Sequence, residues 1–190
     1  LTSYGSLLNN AEMVLLVFIG RLSEQKGIDT LLEVLPVLMA KEMHVQVVVL
    51  GSGSADIESR LVELTEEKLL GGRLCFVKGY NTEFAYKLYA GGDFFVIPSR
   101  YEPCGLTDFI AQLFGTVPVV HHVGGLVKVL DGITGLAYQD ESPDALLGAL
   151  LRALRLYEKP GELKKMQVQA VKEIERKFTW SKVMKKYVEL

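Results

Sequence analysis

The feature that most limits what this chain can fold into is the repeated exchange of two periodicities. Runs rich in Val, Ile, Leu and Phe recur at 13–20, 45–50, 73–78, 93–97, 117–120 and 134–138, apolar at successive positions instead of alternating. Strands covered on both faces carry that pattern, as in a parallel sheet. Between them, Leu31, Leu35, Leu38 and Met39 share one helical face, as do Ile57, Leu61 and Leu64, and then Phe84, Leu88 and Tyr89. With right-handed crossovers, such alternation predicts an α/β doubly wound, Rossmann-like parallel sheet of about six strands with helices on both faces. After Tyr138 the spacing predicts three C-terminal helices, about 142–158, 160–177 and 179–190. Gly161 after Pro160 marks the expected break between the first two, and Thr179 is the expected N-cap of the third.

Length and charge narrow the function. The 190 residues suffice for one hydrophobic core, so 1–190 is expected to be a single domain. Lys and Arg number 21 against 23 Asp and Glu, a net charge of −2, which gives no broad basic face for nucleic acid or anionic lipid. Any anion must be held locally. The longest apolar runs, "MVLLVFIG" and "VQVVVLG", are strand-length and well short of the ~20 residues that cross a bilayer. Cys75 and Cys104 form no CxxC pair, which points to a reduced, cytoplasmic setting. The chain starts at Leu1 with no initiator Met, signal-peptide pattern or Arg-rich transit segment, so a fragment, a trimmed start or a domain cut from a longer protein is expected.

Ligands of doubly wound sheets gather at the carboxyl ends of the strands, so the loops there hold the candidates. After the first run, "IGRLSEQKGID" leads from Gly20 into two cations, Arg21 and Lys26. It matches neither a GxGxxG fingerprint nor a GxxxxGK[ST] phosphate loop, which removes the main support for nicotinamide or Walker-type readings. What remains is a paired positive site, or two exposed loop charges. In "LGSGSADIE", Gly51, Ser52 and Gly53 are better read as a turn into a helix, with Ser54 or Asp56 as caps. Tyr80, in "VKGYNTE", is placed to stack on a planar ring or to pack.

The densest signal follows the fourth run, in "SRYEPCGLTDFIAQLFG". Pro103 holds Glu102 extended, Gly105 permits close approach, and the N–H groups about Leu106 and Thr107 open a helix, which favours an anion. Convergent polar groups of this kind mark a site. His121 and His122 are adjacent on an extended segment and point to opposite sides, a poor metal pair. Cys104 has no sequence-local base, so a backbone role is expected in place of a nucleophilic one. Without a DxD pair, cations must manage the phosphates.

Together, "FIGRLSEQKG", "GSG", "VKGY", "DFFVIPSRYEPCGLT", "GTVPVV" and "GGL" resemble the C-terminal half of bacterial glycogen synthases and plant starch synthases, retaining glycosyltransferases of the two-domain GT-B fold. The resemblance spans nearly the whole chain. It implies that Arg21 and Lys26 grip the diphosphate of ADP-glucose, with Gly20 beside them. It implies Glu102 near the donor sugar, the backbone of Cys104, Gly105, Leu106 and Thr107 on glucose hydroxyls and phosphate, and Tyr80 on adenine. No cofactor or metal is implied. The acceptor, an α-1,4-glucan, would enter through an N-terminal domain whose lysine-bearing "KxGGL" loop is not in this sequence. Ile110 stands where glycosyltransferases of another family carry a second Glu, Val123 where the resembled family commonly has Thr, and the stretch between Leu130 and Gly135 is short. The rival readings are another GT-B glycosyltransferase using UDP-sugars, against which Ile110 argues, and a non-catalytic nucleotide-binding regulatory module.

Overall fold

The structure is a computed structural model and describes residues 1–188. The strands are β1 (Thr2–Leu7), β2 (Val14–Ile19), β3 (Val45–Gly51), β4 (Arg73–Lys78), β5 (Phe94–Ile97), β6 (Val117–His121) and β7 (Leu136–Tyr138). The helices are α1 (Ile28–Lys41), α2 (Ala55–Glu66), α3 (Thr82–Gly91), α4 (Thr107–Phe114), α5 (Pro143–Tyr157), α6 (Pro160–Lys177) and α7 (Trp180–Val188). Single 3-10 turns occupy Glu24–Lys26 and Gly124–Lys128.

The seven strands run in the order β1-β4-β3-β2-β5-β6-β7. From β4 to β7 all pairs are parallel, in the doubly wound order expected of the alternation. Side chains of β2 divide between two cores. Leu16 and Phe18 meet α1, α2 and α5 through Leu35, Leu61 and Leu150, whereas Val17 and Ile19 meet α3 and α4 through Leu88 and Ala111. This two-sided covering is why the runs lack alternation.

Three expectations are corrected. The sheet has a seventh strand, β1, which pairs antiparallel with β4 in the register Thr2↔Lys78 to Leu7↔Arg73. Its sequence, TSYGSL, lies at an edge and is mostly exposed, so it carries no apolar run. The break between α5 and α6 falls at Glu158 and Lys159, and Pro160 opens α6, where its missing N–H is harmless. Gly161 is therefore inside the helix. Ser54 holds the N-cap position of α2 without a capping bond, and Asp56 lies in its first turn; instead Glu58 reaches back to accept from the Gly53 N–H at 2.9 Å. Thr179 precedes α7, and its carbonyl accepts from Lys182 and Val183. Positions 189 and 190 of the third expected helix lie outside the described residues. Among the described residues no helix is long and apolar enough to cross a membrane.

Candidate functional site

Strands that follow β2 in sequence build the sheet to one side of it, through β3 and β4, until the chain crosses back and places β5 on the other side. The crevice between the ends of β2 and β5 is thus the switch point, where helices leave in opposite directions and a ligand can enter. The two loops that flank it are the two that carry the strongest sequence signals.

The geometry joins them. Lys26 Nζ lies 2.6 Å from Glu102 Oε2, across 76 residues of sequence. Glu102 is 8% exposed, and its Oε2 also accepts from the Ser99 hydroxyl at 3.3 Å. An ammonium has three donors, so this contact leaves Lys26 able to reach a second anion. Arg21 is exposed just beyond β2 and pairs with no carboxylate among the described residues. Gly20, half-buried, carries the chain out of the sheet, its N–H bonded to the Leu50 carbonyl.

Local chemistry explains why these loops hold their shape. Gly27 has φ 65°, and a Cβ there would stand 1.9 Å from the Pro98 carbonyl oxygen, so only glycine lets the β2 loop lie against the end of β5. Arg100, which the sequence reading passed over, fastens the same two loops. Its guanidinium grips both carboxylate oxygens of Asp29 at 2.7 and 2.8 Å, the Glu24 carbonyl at 2.6 Å and Glu141 at 2.7 Å. Partial burial pushes the Asp29 carboxyl up, but the Arg100 hydrogen bonds and charge outweigh it and hold Asp29 below the usual range. The Arg100 N–H also donates to the Gln25 carbonyl at 2.9 Å. Lys26 is set opposite Glu102 by this fastening.

The Glu102–Thr107 segment rests on the 3-10 turn Gly124–Lys128. The Gly125 N–H donates to the Glu102 carbonyl at 2.7 Å, and a Cβ on Gly124 or Gly125 would stand 2.2 Å from the Glu102 or Cys104 carbonyl oxygen. The double glycine therefore serves backbone-to-backbone packing under the loop. Lys128 Nζ donates to the Cys104 and Gly105 carbonyls, lies 3.3 Å from Asp108 Oδ1 and sits 4.3 Å from the centre of the Phe109 ring. Asp108 is fully buried in the first turn of α4. Burial raises its carboxyl to about 6, against the opposing pull of Lys128. Leu106 occupies the N-cap of α4 with no side-chain cap, which leaves the helix start open.

Of the expected residues, Lys26, Glu102, Cys104, Gly105, Leu106 and Thr107 share this crevice or its rim. Tyr80 does not contact it: it is 66% exposed beyond β4, two strands from β2, which is roughly 10 Å at normal strand spacing. His121 is buried with Nδ1 2.9 Å from the Ser99 carbonyl and Nε2 3.1 Å from that of Gln139, while His122 faces Val127. Both rings touch Gln139, His121 at its carbonyl and His122 Nδ1 at its side-chain amide, 3.0 Å away. Among the described residues no three His, Cys, Asp or Glu side chains form a group that could hold a metal. Arg100, Asp108 and Lys128 were missed. Only Lys128 left a trace, as the one cation in "GGLVK".

Doubly wound order, a cation and carboxylate at the switch point and an open helix start define a Rossmann-like half of a GT-B fold. The profile of the family described as "Glycosyl transferases group 1" matches residues 5–172, and the chain belongs to that family. It is 40% identical over 187 residues to the glycogen synthase of Cellvibrio japonicus, covering 94% of this chain and 37% of that protein. The chain thus spans little over a third of the length of such relatives. Among solved structures, the catalytic domain of starch synthase IV from Arabidopsis thaliana, bound to ADP and acarbose, superposes with a TM-score of 0.81 at 25% identity, covering 97% of this chain and 39% of that one. The C-terminal domain of a glycosyl transferase group 1 protein from Francisella tularensis shares the fold at 17% identity, with a TM-score of 0.76 over 92% of this chain and 96% of that one.

Proposed function

We propose that residues 1–190 form the nucleotide-sugar-binding domain of a glycogen or starch synthase, a cytoplasmic hexosyltransferase that moves glucose from ADP-glucose to the non-reducing end of an α-1,4-glucan with retention and without a metal. The observation that carries this reading is the Lys26–Glu102 pair at the switch point, 2.6 Å apart and beside the uncapped start of α4. The likeness to glycogen synthases and to a starch synthase bound to ADP supports the choice of donor.

In this reading Arg21 and Lys26 face the diphosphate, with Gly20 leading into them. Glu102 positions the glucose, the backbone of Cys104, Gly105, Leu106 and Thr107 meets sugar hydroxyls and phosphate, and Tyr80, outside the crevice and roughly 10 Å from β2, stacks on the adenine at the far end of the nucleotide. As the bond between the anomeric carbon and the diphosphate breaks, negative charge grows on the leaving oxygen. Fixed cations and free helix N–H groups stabilise that charge without reorganising, and single donors of this kind contribute about 3 kcal/mol in other enzymes. The glucan acceptor would be presented by a further domain, so this chain alone binds nucleotide without turning it over.

Titration calorimetry in the presence of a chelator tests the assignment. ADP should bind more tightly than UDP, and Lys26→Ala should weaken ADP roughly tenfold or more, the loss of one charge-assisted hydrogen bond of ~1.5–3 kcal/mol. Equal affinity for the two nucleotides, or none for either, overturns it.

A further inference from the structure

The Lys128 ammonium is bound to the loop above it. Two of its three donors go to the Cys104 and Gly105 carbonyls, the Asp108 carboxylate stands 3.3 Å away as an ion-pair partner, the side chain is 13% exposed, and its far side is closed by the Phe109 ring. It is therefore enclosed by groups of its own chain. Its effect lies in the two carbonyls that it turns inward. A trans peptide is planar, so the N–H of each unit points opposite to its C=O. With the Cys104 and Gly105 carbonyls directed at Lys128, the N–H groups of Gly105 and Leu106 are directed away from the ammonium, Leu106 being exposed and Gly105 buried. Among the described residues neither N–H donates a hydrogen bond. Gly105 takes φ 62° in this turn, which brings successive peptide units round one centre.

We infer that Lys128 is a positioning residue of the donor site: by holding the Cys104 and Gly105 carbonyls it aims the Gly105 and Leu106 amides, with the start of α4, at the phosphate of a nucleoside diphosphate. This rests on the donor-site reading above and adds to it the residue that sets the amides. A purely structural lysine would influence the stability of the loop and leave the ligand's contacts unaltered in kind.

The test is an amide-resolved NMR titration of the 15N-labelled 190-residue chain with ADP, on wild type, Lys128→Met and the double variant Lys128→Met/Asp108→Asn, which avoids stranding a buried carboxylate. In wild type the Gly105 and Leu106 resonances should shift with ADP. In the variants that response should be lost and the Kd should rise about tenfold, with the rest of the spectrum dispersed as in wild type. ADP binding to wild type with Gly105 and Leu106 unmoved, or wild-type affinity in the folded variants, overturns this inference and leaves the donor site standing. No ADP binding by wild type overturns both. If neither variant folds, Lys128 acts through the stability of the loop and the inference is overturned.

Discussion

Asp108 offers the sharpest test of the electrostatics under the loop. Its side chain is wholly buried, neither carboxylate oxygen accepts a hydrogen bond, and the nearest cation, Lys128, stands 3.3 Å from Oδ1. Burial raises the carboxyl to about 6, and Lys128 offsets only part of that. Against an ordinary aspartate near 3.9, the rise is about two pH units, or about 3 kcal/mol between the protonation states. The sign follows from proton binding. Between pH ~4 and ~6 the folded chain holds a proton that the unfolded chain has released, so this group's contribution to stability is present below pH ~4 and is lost as pH rises through ~6. Asp108→Asn has no proton to lose. Urea unfolding of both proteins from pH 4 to pH 8 should therefore show the variant gaining on wild type by about 3 kcal/mol across that window, other carboxylates cancelling in the difference. The groups that share the environment are Lys128 on the turn beneath and Tyr89 on α3, both unchanged by the substitution. A difference that stays constant across the range would refute the account of Asp108 as a buried, poorly compensated carboxylate.

Two further substitutions probe how the loops are fastened. Gly125→Ala forces a Cβ to within 2.2 Å of the Cys104 carbonyl oxygen, and should destabilise the fold by about 1–3 kcal/mol, read as a fall of several degrees in Tm; an unchanged melting curve would remove the packing role assigned to the double glycine. Arg100→Ala releases Asp29 and the Glu24 carbonyl together, and should weaken ADP binding in calorimetry although Arg100 is assigned no ligand contact; undiminished affinity in a folded variant would show that Lys26 needs no such tether.

The sequence by itself determined the layered α/β class, the six parallel strands and two loops that the fold brings to its switch point. Those properties are local. Burial on both faces writes itself as an unbroken apolar run, and turn chemistry writes itself as Gly and Pro at strand ends. The loops "GRLSEQKG" and "YEPCGLT" were legible for that reason. Which residues meet was decided by tertiary structure. The contact of Lys26 with Glu102 exists because β5 pairs with β2, a choice that no single strand encodes. Arg100 joins Asp29 only because its loop lies against α1, and Lys128 is joined to Cys104 across 24 residues. β1 escaped notice because an edge strand follows the open ladder of its partner β4, not an apolar pattern of its own. Sequence periodicity reports how each element is covered; the geometry of a site depends on which elements the sheet order makes neighbours, and that is settled only when the two cores close together.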